Sequence, residues 1–193
     1  MKNLSLSQSA QITARGWHSQ VNQYYGLDDS LPYYFHTDLV GTIADIYIQL
    51  IPVQDRETVK AACYLHDSLE DIHFVNFNQL KDLFGEEVAE LVFAVTNETG
   101  RNRKERASEK YYEKIRNTPY ATFVKLCDRI GNTLYGTMFK QEGGMLAKYK
   151  KEWLDFVGYI RHTETYKPMI NDLIKLMDEE VFSFKPLEVS DGI

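Results

Sequence analysis

The sequence predicts an all-α fold, a compact helical bundle. Three observations lead there. Apolar residues recur at three- and four-residue spacing through most segments, the period of a helix laid on a core. The breaks between those segments carry helix punctuation: glycine, proline or a capping aspartate. Strand patterning is thin, and only residues 181–184 read as extended.

The first helix is expected over residues 7–25, where Ala10, Ala14, Trp17 and Val21 form one stripe and Gly26 is the stop. Residues 27–32 read as a polar, turn-rich loop. A second helix is expected over 37–50, with Val40, Ile43, Ala44 and Tyr47 facing inward and Pro52 beyond its end. A third covers 55–69, with Asp55 as N-cap and Val59, Ala62, Cys63, Leu65 and His66 as its stripe. The fourth, 77–84, ends at Gly85, and the fifth, 86–96, carries Val88, Leu91, Val92 and Val95. Residues 97–103 are a polar loop and 104–117 a strongly charged helix. Pro119 opens a helix over 120–139 with Phe123, Val124, Leu126, Cys127 and Ile130 inside. Gly143 and Gly144 break the chain before two closing helices, 145–162 and 168–180, and a loose tail.

A chain of 193 residues, 44% hydrophobic and 26% charged, is expected to be one globular domain over 1–193. A net charge of −6 points away from a nucleic-acid binder, because phosphate attraction needs a basic surface. No apolar run approaches the ~18 residues of a membrane span, and the first residues lack the apolar stretch of a secretory signal. Cys63 and Cys127 both lie in apolar stretches and read as reduced, buried small hydrophobes. The expectation is a cytoplasmic protein.

One stretch breaks the apolar pattern. In YLHDSLED, residues 64–71, a buried-looking run ends in His66, Asp67, Glu70 and Asp71. On a continuous helix His66 and Glu70 share a face, as do Asp67 and Asp71. Buried carboxylates need a cation or donors, and no lysine or arginine lies between Tyr64 and Leu80. A divalent metal answers that need. Adjacent His and Asp suit Mn²⁺, Fe²⁺, Zn²⁺ or Co²⁺. His36, ending PYYFH, and Asp128, in VKLCDR, are two more ligand types out of pattern. Asp128 and Arg129 are adjacent on a helix and face apart, so a plain ion pair between them is disfavoured. His18, His73 and His162 read as surface or structural.

The order H…HD…D resembles the HD-domain metal-dependent phosphohydrolases. HDSLED (66–71), FGEEVAELVFAVTNET (84–99), VKLCDRIGN (124–132) and PYYFH resemble the hydrolase domain of the RelA/SpoT family and the small alarmone hydrolases. The resemblance covers about residues 14–160, leaving the last helix and tail, 168–193, outside it. It implies an α-helical HD bundle with one divalent ion, Mn²⁺, held by His36, His66, Asp67 and Asp128. It implies that Glu70 and Asp71 handle the attacking water and that Asn132 lies beside the site. The reaction it implies is removal of the 3′-pyrophosphate from ppGpp or pppGpp, a small-molecule nucleotide.

The family's Arg-Lys pair before PYxxH is missing. Residues 20–36 contain no Arg or Lys. Tyr24 or Tyr25 is expected to stack on a base in place of the arginine. Arg101, Arg103, Lys104 and Arg106, or Lys148 and Lys150, are the candidates for the missing positive charge. Two other readings follow: an HD hydrolase for another phosphorylated nucleotide, or a catalytically silent HD module that binds a nucleotide or a protein. The intact acidic pair disfavours the silent module.

Overall fold

A computed structural model describes residues 3–26, 30–139, 144–160 and 164–177. The described fold is helical throughout except for one small hairpin. Helix α1 (Leu6–His18) starts at a capping box in which Ser5 accepts from the Gln8 backbone and Gln8 answers to the Ser5 backbone. It stops at His18, well before residue 25, because Tyr24–Tyr25 forms a strand, β1, paired antiparallel with β2 (Leu31–Pro32). Helix α2 (Tyr34–Tyr47) begins three residues earlier than the periodicity suggested, so His36 falls inside its first turn. A 3₁₀ turn over Ile48–Leu50 follows it.

The third expected helix is two. Helix α3 (Arg56–Leu65) ends at His66, and a single turn, α4 (Ser68–Asp71), restarts after Asp67. Asp55 occupies the N-cap of α3 but makes no capping hydrogen bond; its carboxylate accepts the Tyr120 hydroxyl at 2.6 Å. Helices α5 (Phe77–Phe84) and α6 (Glu86–Val95) are joined at Gly85, whose φ of +93° a side chain would strain. The charged segment also divides, into α7 (Arg103–Arg106) and α8 (Glu109–Asn117). Helix α9 (Ala121–Met138) runs 18 residues. Helices α10 (Gly144–Lys151), α11 (Trp153–Ile160) and α12 (Lys167–Met177) close the described chain. The first of the two expected closing helices is thus broken at Glu152. The extended reading of 181–184, His162 and the end of the last helix lie outside the described residues.

α9 lies at the centre. α2, α10 and α12 pack on it, while α3 is held between α1, α2 and α6. The core joins Val40, Ile43 and Ala44 of α2, Val59, Ala62 and Leu65 of α3, Leu91 and Val92 of α6, and Phe123, Val124, Leu126 and Ile130 of α9. Each large apolar side chain so buried contributes about 1.5–3 kcal/mol relative to exposure. Cys63 and Cys127 are free and fully buried in that core, and burial pushes the Cys127 thiol well up. One contact sets the site. A Cβ on Gly41 would overlap the Tyr64 ring, so only glycine lets α2 and α3 approach here. That approach brings the rings of His36 and His66 to 5.1 Å between centroids. Among the described residues no helix is long and apolar enough to cross a membrane.

Candidate metal centre

His36 and His66 come from α2 and from the junction of α3 and α4, Asp67 from that same junction, and Asp128 from the middle of α9. His36 is 1% exposed, His66 3% and Asp128 7%. One nitrogen or oxygen each of His36, His66 and Asp67 lie within 4.8 Å of one another. Asp128 Oδ1 lies 3.3 Å from His36 Nε2 and 3.8 Å from His66 Nε2. Asp67 Oδ2 lies 2.9 Å from His66 Nε2 and 3.6 Å from His36 Nε2.

The tautomer of His66 bears on what this arrangement can hold. Its Nδ1 is 2.9 Å from the Cys63 carbonyl oxygen, which only accepts, so Nδ1 carries the proton. In the neutral ring Nε2 is then a lone pair, buried, without a hydrogen-bond partner, and close to Asp67 Oδ2. Lone pairs converge like this around a cation. Two imidazole nitrogens and two carboxylate oxygens suit a divalent first-row ion, and the residues present fit one. Without it a proton takes the place. Burial opposes charge on His66, but Asp67 and Asp128 overcome it and push the ring up to about 9. Burial likewise opposes charge on Asp67, and His66 and His36 hold it low.

This predicts how stability depends on pH. In metal-free protein His66 titrates near 9 when folded and at its ordinary 6.5 when unfolded. Its stabilisation is complete below 6.5 and lost as pH rises through about 9. Asp71, pushed up by burial and by Asp67 from 3.8 to about 7, adds a loss between those values. The melting temperature of EDTA-treated protein is therefore expected to fall from pH 5 to pH 9. Added Mn²⁺ is expected to raise it more at the higher pH, because ligands must shed protons to bind. Equal Mn²⁺ shifts at both pH values would contradict this account of His66.

The carboxylates are held from outside as well. Asp67 Oδ2 accepts the Tyr33 hydroxyl at 2.6 Å. Asp128 accepts Lys125 Nζ on Oδ2 and Asn132 Nδ2 on Oδ1, both at 2.7 Å. Burial opposes charge on Lys125, but Asp128 holds its ammonium firmly protonated. Arg129 lies between the Tyr149 and Phe156 rings, at 4.1 and 3.7 Å. Glu70 is exposed and anchored: Asn97 Nδ2 donates to both its oxygens, at 2.8 and 2.9 Å, and the Asn97 backbone N–H donates at 3.3 Å. Asp71 stands behind it, half-buried against Gln23. The break after α3 replaces the shared helix face expected for His66 and Glu70.

The centre opens into a cleft of about 170 Å³ lined by His36, Asp67, Glu70, Asn97, Asp128 and Asn132, but not by Asp71. Its cations are Arg103, Arg106, Lys125 and Arg129. Of the residues expected to read substrate, Asn132 is in the lining, whereas Tyr24, Arg101 and Lys148 are exposed and outside it. Tyr25 is the tyrosine that turns inward, stacked on His36 at 5.0 Å. Lys125 was legible as a basic residue three before Asp128, on the same helical face. Arg103 and Arg106 sat within a run of mixed charge. His18 is buried, its ring 4.9 Å from that of Tyr33, and burial pulls it down to about 4.

Comparison of the fold brings in a solved structure described as "a metazoan ortholog of SpoT hydrolyzes ppGpp and plays a role in starvation responses". The two agree with a TM-score of 0.71 at 20% identity, over 94% of this chain and 99% of that one. This chain has the fold of a RelA/SpoT-type HD hydrolase domain. A sequence relative points the same way: the guanosine-3′,5′-bis(diphosphate) 3′-pyrophosphohydrolase of Aquifex aeolicus (strain VF5), 34% identical over 111 residues. The match takes in 56% of this chain and 15% of the relative's length. No protein-family model matches the chain. On this HD fold the four residues named from the motifs meet in one place, beside a hairpin and a cationic cleft.

Proposed function

We propose that this chain is a single-domain, cytoplasmic, Mn²⁺-dependent phosphohydrolase that removes the 3′-pyrophosphate of ppGpp-type guanosine nucleotides. The observation that carries the proposal is the buried convergence of His36, His66, Asp67 and Asp128 at the floor of a cleft holding an anchored carboxylate and four cations. Two similar proteins bear ppGpp hydrolysis in their descriptions, which supports the substrate class.

The metal, when bound, supplies Lewis acidity to a phosphoryl oxygen and lowers the pKa of a water. The rest falls to the chain. Glu70, fixed by Asn97 and open to the cleft, accepts the proton of the attacking water. Asp71 supports it from behind as the second acidic group. Lys125 keeps Asp128 ionised and adds positive charge to the cleft wall. Arg103 is bound bidentately to Glu152, and Arg129 is stacked, so both shape the wall. Among the described lining residues Arg106 is the arginine without an ion pair or ring contact, and it is the group to receive substrate phosphate.

The absence of Arg and Lys over residues 20–36 favours a second reading, hydrolysis of another phosphorylated nucleotide. Pyrophosphate release from ppGpp with Mn²⁺, beside a panel of ordinary nucleotides, separates the two. Under the first reading ppGpp is turned over. Arg106→Ala then raises KM by roughly 10- to 100-fold, the worth of one charge-assisted hydrogen bond, with kcat little changed. Turnover of the panel but not of ppGpp would remove the alarmone assignment and keep the chemistry.

A further inference from the structure

The hairpin β1–β2 lies far in sequence from Asp128, yet it delivers one tyrosine toward each carboxylate of the centre. Tyr25 pairs with Leu31 across the hairpin, and Tyr33 follows β2 directly. The Tyr33 hydroxyl donates to Asp67 Oδ2 at 2.6 Å. That oxygen is the one nearest both imidazoles, 2.9 Å from His66 Nε2 and 3.6 Å from His36 Nε2. The phenol therefore holds the very atom that faces the metal position.

Tyr25 acts one step further away. Its hydroxyl donates to Asn132 Oδ1 at 3.0 Å, and Asn132 Nδ2 donates to Asp128 Oδ1 at 2.7 Å. An ionised carboxylate only accepts, so Asp128 takes the NH₂ end of the Asn132 amide and leaves its oxygen to accept the Tyr25 proton. The two rings also confine His36: Tyr25 is stacked at 5.0 Å, and Tyr33 is edge-on at 5.6 Å.

We infer that Tyr33 and Tyr25 are positioning residues that preset the carboxylate ligands Asp67 and Asp128, so that this hairpin governs the affinity of the metal centre. The inference rests on the metal-centre reading of the cleft and on no assumption about the substrate. Partners of this kind hold ligands in their binding orientation before the ion arrives. Their loss typically costs 10- to 100-fold in metal affinity.

The test is titration of metal-free protein with Mn²⁺, following free Mn²⁺ by electron paramagnetic resonance, with no nucleotide present. Tyr33→Phe is expected to weaken binding by roughly 10- to 100-fold. Tyr25→Phe should weaken it less, because it acts through Asn132. Tyr24→Phe, on the same strand but 52% exposed, should bind as wild type. Thermal melts of the metal-free variants report folding. If Tyr33→Phe fails to fold, Tyr25→Phe carries the test alone. Wild-type affinity in the folded tyrosine variants overturns the inference, as does an equal loss in Tyr24→Phe. A wild-type protein that binds no Mn²⁺ overturns it together with the metal centre. Weakened binding in a protein that does not hydrolyse ppGpp upholds the inference while the proposed substrate falls.

Discussion

Glu70→Gln is expected to lower kcat for pyrophosphate release by roughly 10²–10⁴-fold, the range of a positioned general base, while Mn²⁺ affinity stays at the wild-type value. The split follows from where Glu70 stands. It lines the cleft, and both its oxygens are held by Asn97 rather than aimed at the imidazoles. Glutamine keeps the shape and loses the acceptor of a proton. Asn97→Ala should give a smaller loss in kcat, because it frees the carboxylate without removing it. Asp71 is the competitor for the role, since burial and Asp67 raise it to about 7. It lies outside the cleft lining, and Asp71→Asn is therefore expected to cost less than Glu70→Gln. Steady-state kinetics beside a Mn²⁺ titration decides the matter. A Glu70→Gln enzyme within tenfold of wild type would move the base elsewhere.

Asp128→Ala is expected to do two kinds of damage at once. It removes a proposed ligand, so Mn²⁺ binding and turnover should both fall below detection. It also strands Lys125, whose ammonium is 2.7 Å from Asp128 and whose side chain is only 18% exposed. Breaking one side of a buried ion pair costs about 3–5 kcal/mol. Denaturant unfolding of the metal-free protein should show that loss. The double variant Asp128→Ala/Lys125→Met should recover much of it, since no charge is then left alone, and still bind no Mn²⁺. Recovery of metal binding in the double variant would mean that Asp128 is a structural partner of Lys125 and not a ligand.

Much of the centre was legible before any fold was known, and the reason is local. His66, Asp67 and Asp128 are charged or ligating groups at positions where helical periodicity calls for apolar ones. Such violations stand out because burying them uncompensated is so costly. Glycine and proline marked most boundaries for an equally local reason, and residues 77–84 came out as a helix with both ends as expected. The errors have a common source too. The helix through residues 55–69 breaks at Asp67, the charged helix through 104–117 breaks at Ala107, and Tyr24–Tyr25 leaves the first helix for a strand. In each case side chains from elsewhere decide. Asp67 answers to Tyr33, Arg103 to Glu152 across 49 residues, and Tyr25 to Asn132 across 107.

By itself, then, the sequence determined the all-α class and singled out His36, His66, Asp67, Asp128 and Glu70 as candidates for the site. Each of these follows from which residue interrupts a helical stripe. Only the tertiary structure decided which cations line the cleft and that Tyr25 and not Tyr24 faces inward. These depend on how closely α2 meets α3 over Gly41 and how α10 lies against α9. Such distances are set by packing between segments far apart in the chain, and no periodicity within a segment records them.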